Sequence, residues 1–289
     1  MIKIMTDAAA DIDQQTAKEL EIEVLPFIIN LDGESIVADV HLTPDAFYDK
    51  VRAAAEIPTT SQMSPEDVEA VYRRLCSGGN SVIHIAMSAN GSGIYNTSCM
   101  VAQMLQEEGL DITVIDSAMF AFAIGRAAVQ AARMAKAGKS KEEIIAYVTG
   151  VYDRDTAYFV VDDLTYLKKG GRIKATTMAV SALLDIKPIL MIKDGLVEAY
   201  QKVRGLKKAM AILCGYAEER MDMSGESEVI LLHSDAEDKV AVLKAMVEER
   251  VKPDKITVVK IGPIITAHAG LGLVGIYFKH KESYKNYVS

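Results

Sequence analysis

Two loop segments carry neutral polar side chains in arrangements that suit the binding of an anion. The segment TTSQMS (59–64) places four hydroxyl groups and an amide just before a predicted helix, where backbone N–H groups favour an anion. The segment MSANGSGIYNTS (87–98) joins a predicted strand to a helix, and two glycines around Ser92 allow close backbone approach. Both segments also have an ordinary interpretation, because Ser64 alone would cap the helix and hydroxyl-rich loops are common.

Charged side chains form a third candidate region. The segment VDDLTYLKKGGRIK (161–174) holds two carboxylates, four cations and a glycine pair. Two lysines before Gly-Gly, followed by Arg172, are typical of a helix that ends in a sharp turn, and composition alone goes no further. Arg204 stands at the end of a predicted strand, and His268 lies among alanines and glycines that leave it accessible. Taken singly, such residues are more often structural or solvated than functional.

The loop around Ser92 does not match the standard nucleotide or nucleophile motifs. No GK[ST] ends it, so it is not a Walker loop, and the GxGxxG and GxSxG spacings are missing. We interpret the loop as an anion cradle. A remote alternative is a serine acyl-ester hydrolase or acyltransferase that would use Ser92 with His268 and Asp116.

Composition excludes several classes of protein. Half of the 289 residues are hydrophobic, which is typical of globular chains, and the net charge of −8 argues against a nucleic-acid binder. The three cysteines form no CxxC pair, so we expect no disulfide framework, no metal site and a reduced, cytoplasmic setting. We also expect no signal peptide and no stable membrane insertion, because no apolar run has the required length.

The elements that position these side chains follow an α/β order. The apolar runs 2–5, 81–87 and 111–117 are each followed by a helical stretch, as parallel βαβ units require. Helix starts are indicated by Thr43-Pro44, by Ser64 with Asp67 and by Ser140 with Glu143.

The pattern of predicted strands and helices changes near residue 153. Beyond it, KPILMIKDGLVEAYQKV predicts two strands around an Asp-Gly hairpin turn, an antiparallel pairing that we do not expect in the first half. The sequence therefore predicts two α/β domains, residues 1–153 with a parallel sheet and residues 154–289 with a mixed sheet.

Taken together, these segments resemble the DegV family of fatty-acid-binding proteins, which includes the substrate-carrying subunit of bacterial fatty acid kinase. The resemblance covers essentially the whole chain, and VDDLTYLKKGGRI is its most specific part. The matching segments, in the order of the family, are TDAAADI, TTSQMS, MSANGSGIYNTS, VIDSAMFAFAIG, FVVDDLTYLKKGGRI, IKPIL before a DG turn, KVRGLKKA and GPIITAHAGLGLVG.

The resemblance implies a two-domain α/β protein with one long-chain fatty acid in an apolar tunnel between the domains. It implies a carboxylate site whose residues in this chain are Thr60, Ser61, Ser92 and Gly93. It also implies that Arg172, Arg204 and His268 surround the head-group end of the ligand. By the same resemblance, a separate ATP-using kinase subunit phosphorylates the carboxylate there. The carrier itself then binds no ATP and no cofactor other than the fatty acid. A lipid store or sensor without a kinase partner is the alternative.

Three positions depart from the family pattern. Ala8 stands where serine is usual, Met63 follows TSQ in place of proline, and Leu271 also replaces a usual proline. None of these changes removes a hydroxyl or amide from the carboxylate loop. We expect the lining of the tunnel to differ from that of the family, so the preferred length of the fatty acid does not carry over.

Overall fold

The computed structural model describes residues 1–174 and 187–287. The chain divides into two compact units. The N-terminal unit comprises Met1–Thr43 and Ala54–Tyr152, and the C-terminal unit comprises Pro44–Ala53 and Asp153–Ser289. After the predicted turn at Gly170 and Gly171, the run IKATTMAVSALL (173–184) favours a new segment, whose residues from 175 onward lie outside the described residues.

Helices and strands alternate along most of the chain. Up to residue 154 the elements are β1 (Ile2–Asp7), α1 (Gln14–Leu20), β2 (Glu23–Leu25), β3 (Phe27–Leu31), β4 (Glu34–Ala38), α2 (Pro44–Ala53), β5 (Thr59–Ser61), α3 (Pro65–Cys76), β6 (Ser81–Ala86), α4 (Ile94–Glu107), β7 (Asp111–Asp116), α5 (Phe122–Lys136) and α6 (Lys141–Arg154). The elements that follow are β8 (Asp155–Val160), α7 (Thr165–Gly170), β9 (Ile189–Lys193), β10 (Leu196–Gln201), α8 (Leu206–Arg220), β11 (Glu228–His233), α9 (Glu237–Arg250), β12 (Lys255–Lys260), α10 (Pro263–Ala269) and β13 (Val274–Lys279).

The main sheet of the N-terminal unit is parallel, in the order β2-β1-β6-β7. The predicted parallel sheet is thus confirmed. Its central strands are buried β-branched runs, as expected for strands covered by helices. The predicted helix starts are also confirmed: α3 has a capping box of Ser64 and Asp67, and Ser140 exchanges hydrogen bonds with Glu143 before α6.

The expectation that the first half lacks antiparallel pairing is wrong. The run IEVLPFIINL forms two strands, β2 and β3, because Pro26 has no N–H to donate to a sheet. At Asp32 and Gly33, both with positive φ, the chain turns from β3 into β4. On its other side β3 pairs with β5, so these strands form a small antiparallel sheet in the order β4-β3-β5.

The C-terminal unit contains a mixed sheet in the order β10-β9-β8-β13-β11-β12. Strands β11 and β12 are parallel, and the other neighbouring pairs are antiparallel. The predicted mixed sheet is confirmed, as is the hairpin, which turns at Asp194 and Gly195 between β9 and β10. Helices α8 and α9 pack against the sheet through a common apolar core.

Helix α2 belongs to the C-terminal unit although both of its flanking segments belong to the N-terminal unit. Phe47 and Tyr48 are fully buried, and the Tyr48 hydroxyl donates to the carbonyl of Ile261 at 2.6 Å. Arg52 forms an ion pair with Asp235. Within residues 1–174 and 187–287, no helix combines the length and the apolar character required to cross a membrane.

Candidate ligand-binding site

The loop of residues 87–93, here called the serine–glycine loop, connects β6 to α4 in the N-terminal unit. Its backbone is fixed by two carboxylates at the carboxyl ends of β1 and β7, the strands on either side of β6. The N–H of Met87 donates to Asp7 at 2.7 Å, and the N–H of Ala89 donates to Asp116 at 3.1 Å. Strand order reverses between β1 and β6, and ligands of open α/β sheets bind at such a switch point.

The hydroxyl of Ser92 is oriented by the start of α4. Its oxygen accepts a hydrogen bond from the N–H of Ile94 at 3.3 Å. A hydroxyl has one donor and two acceptor positions, so this bond leaves the hydrogen of Ser92 for another acceptor. The residue therefore suits a ligand oxygen that carries negative charge.

Gly93 brings the serine–glycine loop against the TTSQMS segment. A side-chain carbon at Gly93 would lie 2.7 Å from Oε1 of Gln62, closer than non-bonded atoms approach. Nε2 of Gln62 in turn donates to the hydroxyl of Thr97 in α4 at 2.7 Å. The structure thus places the two predicted anion-binding loops in contact within one unit.

Thr60 and Ser61 lie on β5, in register with Ile29 and Ile28 of β3. The sequence places them just before a helix, but α3 begins only at Pro65, and Ser64 is the residue that caps it. Their backbone geometry is therefore set by sheet pairing, and no helix terminus contributes N–H groups at these two positions.

Burial changes the acid–base properties of several side chains in this unit, and most clearly those of Asp7 and His84. Asp7 is completely buried, and burial raises its pKa to about 6, although the N–H groups of Met87 and Ala9 oppose the shift. His84 on β6 is also completely buried, with Nδ1 2.7 Å from the hydroxyl of Tyr72, and burial lowers its pKa to about 3. His84 is therefore neutral at physiological pH.

In the C-terminal unit, His268 lies on α10 and Arg172 follows α7. The guanidinium of Arg172 donates to the carbonyl of Gly170, and a side-chain carbon at Gly170 would lie 2.5 Å from Nδ1 of His268. Burial and, to a smaller extent, the charge of Arg172 lower the pKa of His268 to about 4. The His268–Arg172 pair thus combines a neutral imidazole with a permanent cation.

Arg204 is exposed, between the end of β10 at Gln201 and the start of α8 at Leu206. Its role at the head group stays a prediction. In the part of the chain that the structure describes, no three His, Cys, Asp or Glu side chains lie together in a way that would hold a metal ion.

Sequence reasoning did not assign the residues that hold these side chains in place. Asp7, Gln62 and Gly170 each contact a predicted site residue or its loop. A signal was present for Asp7, which directly ends a parallel strand at the edge where ligands bind. Gln62 and Gly170 act through contacts between segments that are distant in sequence, which no local pattern indicates.

A family model described as "Uncharacterised protein, DegV family" matches residues 1–281. The chain belongs to the DegV family. A DegV domain-containing protein of Clostridium perfringens is 34% identical over 280 residues, which cover 95% of this chain and 96% of that protein. The predicted membership is therefore confirmed over nearly the whole chain.

Solved DegV structures have the same fold. A DegV family protein from Thermus thermophilus, described by its fatty acid binding, has a TM-score of 0.84 at 31% identity and covers 96% of this chain and 99% of its own. DegV from Bacillus subtilis, described as a fatty acid binding protein, has a TM-score of 0.83 at 29% identity, with coverage of 97% and 99%. The fatty-acid-binding DegV family protein of Streptococcus agalactiae has a TM-score of 0.86 at 27% identity, with coverage of 98% and 99%.

Proposed function

We propose that this protein binds one long-chain fatty acid and presents its carboxylate to a separate ATP-dependent kinase subunit, which converts it to an acyl phosphate. The observation that supports binding is the serine–glycine loop. Asp7 and Asp116 accept hydrogen bonds from N–H groups at the start of the loop and so fix its backbone. The Ser92 hydroxyl accepts from Ile94 and can donate its hydrogen to a ligand. Relatives with the same fold are described as fatty-acid-binding proteins.

The acyl tail and the carboxylate contribute differently. Burial of a tail is worth about 0.8 kcal/mol per CH2, so about 12 kcal/mol is available from a sixteen-carbon chain before ordering costs are subtracted. A buried carboxylate costs several kcal/mol unless it is hydrogen-bonded. We assign the tail to affinity, and the hydroxyl and N–H donors of Thr60, Ser61, Ser92 and Gly93 to orientation.

The two kinds of polar group also suit two stages of the reaction. Neutral donors leave the carboxylate nucleophilic, whereas an intimate ion pair would reduce its reactivity. Cations suit the additional charge of the phosphoryl group in the transition state and product. We assign this second role to the cations Arg172 and Arg204 and to His268, whose neutral imidazole acts as a hydrogen-bond donor to the phosphoryl oxygens. The basic turn around Arg172 serves as a surface for the partner or the phosphate.

Native mass spectrometry of the freshly purified protein, followed by lipid extraction, tests the binding step. We expect one fatty acid per chain and a loss of that mass after denaturation. A ligand-free mass together with no uptake of palmitate, oleate or stearate in a titration would overturn the proposal.

Mixing the loaded protein with a bacterial fatty acid kinase subunit and ATP tests the presentation step, with acyl phosphate trapped by hydroxylamine. Fatty acid binding without acyl phosphate would indicate a lipid store or sensor. Turnover of a chromogenic acyl ester that is lost in Ser92→Ala would instead support the hydrolase alternative.

Arg204→Ala separates binding from reaction. We expect palmitate affinity to stay within twofold of wild type and acyl phosphate formation to fall at least tenfold, since Arg204 is assigned to the phosphoryl group. Lys202→Ala, which removes an exposed cation two residues away, is the matched control. Equal losses in binding and reaction, or equal effects of both variants, would contradict the assignment.

A further inference from the structure

Two segments of the C-terminal unit pack through glycines rather than through interlocking side chains. The first contains α7 with its flanking residues, and the second contains α10 with the turn that leads to β13. At each close approach, a glycine of one segment meets a side chain of the other. The three pairs are Gly170 with His268, Gly270 with Tyr166, and Gly272 with Asp162.

None of these approaches leaves normal room for a side-chain carbon. Such a carbon at Gly170 would lie 2.5 Å from Nδ1 of His268, and one at Gly270 would lie 3.0 Å from the ring of Tyr166. At Gly272 it would lie 2.6 Å from Cγ of Asp162. The packing therefore brings each backbone into direct contact with the opposite side chain.

Further bonds restrain both segments. Lys239 of α9 forms an ion pair with Asp162, and Lys187 donates to the carbonyl of Asp162 at 2.9 Å. On the second segment, the hydroxyl of the buried Ser234 donates to the carbonyl of Gly270 at 2.8 Å. Because each segment is anchored, an added methyl group at Gly170 is accommodated most easily by movement of the His268 ring.

Gly170 is the point at which the two functional side chains meet. Its carbonyl accepts from the guanidinium of Arg172, and its α-carbon lies against the imidazole of His268. We propose that Gly170 is a positioning residue, whose lack of a side chain and whose carbonyl together hold His268 and Arg172 side by side. The consequence for phosphoryl transfer rests on the proposed function, whereas the positioning itself does not.

The test is Gly170→Ala, with Gly150→Ala as the matched control. Gly150 lies inside α6, and an added carbon there has no neighbour within 4 Å. The first readout is the NMR titration of the His268 imidazole, assigned with His268→Gln. We expect wild-type His268 to titrate near pH 4 and the Gly170→Ala protein to titrate at least one pH unit higher, since the ring moves away from Arg172 and towards water.

The second readout is acyl phosphate formation with a kinase subunit. We expect Gly170→Ala to reduce it at least tenfold, with palmitate affinity within twofold of wild type and Gly150→Ala unchanged in all measurements. An unchanged titration of His268 in Gly170→Ala would overturn the positioning role. If the titration of His268 shifts in Gly170→Ala but the wild-type protein yields no acyl phosphate, the positioning role stands and the proposed function is refuted.

A thermal double-mutant cycle decides the question if Gly170→Ala folds poorly. In a His268→Ala background the imidazole is absent, so the added methyl group has room. We expect the drop in Tm caused by Gly170→Ala to be at most half as large in that background. An equal drop in Tm in both backgrounds would show that the absence of a side chain at Gly170 does not serve to make room for His268.

Discussion

The serine–glycine loop and the His268–Arg172 pair are held in place by different kinds of force. Carboxylates at two strand ends bond to the loop, so its position depends on hydrogen bonding and on a buried group that titrates. In the pair, Arg172 donates to the carbonyl of Gly170, whereas the His268 ring lies against the α-carbon of that glycine, so the position of His268 depends on excluded volume. We therefore expect the loop to respond to pH and the pair to respond to added methyl groups.

The largest effect on stability is expected from added volume, in Gly272→Ala. The new carbon would clash with Asp162, and the backbone has φ +85°, which disfavours any side chain. We expect the free energy of unfolding to fall by about 2–4 kcal/mol in urea denaturation. Gly205→Ala is the control, because Gly205 has φ +83° and no atom near an added carbon. Equal losses in both variants would assign the cost to φ rather than to Asp162.

A smaller, pH-dependent effect is expected at Asp7. Its pKa is about 6 in the folded protein and 3.8 when unperturbed, so its contribution to stability is complete below pH 4 and is lost as pH rises through 6. Relative to wild type, Asp7→Asn should therefore gain up to about 3 kcal/mol between pH 4 and pH 7. Urea denaturation at a series of pH values measures this difference.

The comparison with Asp7→Asn is needed because His84 acts in the opposite direction. Its pKa is lowered to about 3, so its contribution to stability is complete above pH 6.5 and is lost as pH falls towards 3. Since His84 is present in both proteins, its effect cancels in the difference. A difference that does not change with pH would show that the Asp7 carboxyl does not titrate in this range.

The smallest effect is expected from Ser92→Ala. Loss of one neutral hydrogen bond to the ligand costs about 1 kcal/mol, which corresponds to roughly a fivefold weaker palmitate affinity. A competition assay with a fluorescent fatty acid measures it. Ser77→Ala, at an exposed serine after α3, is the control. Unchanged affinity in Ser92→Ala would mean that the loop does not hold the carboxylate.

Local signals predicted the fold well where the interactions are also local. The Asp-Gly turn at residues 194–195 was identified together with both of its strands. The same dipeptide at residues 32–33 also favours a turn, but β4 beyond it is short and largely exposed, so the sequence does not indicate a hairpin there. Strand β5 has three residues and depends on pairing with β3, so no periodic pattern reveals it.

The chemistry of the candidate site was easier to predict than its geometry. Hydroxyl groups beside glycines, and an arginine after a glycine pair, are visible as motifs. The contacts that fix them join distant parts of the chain, as between Asp7 and Met87 or between Gly170 and His268. Such pairs depend on the arrangement of whole strands and helices, which one sequence does not specify residue by residue.

The location of α2 has a consequence for dividing this protein into separately expressed halves. A cut near residue 153 would leave Phe47 and Tyr48 on a fragment that lacks the residues burying them, including Ile261. The other fragment would lose a helix of its own unit and expose the surface beneath it. A gene split at that position therefore yields two incomplete folds, whereas co-expression of both pieces restores every residue that each unit requires.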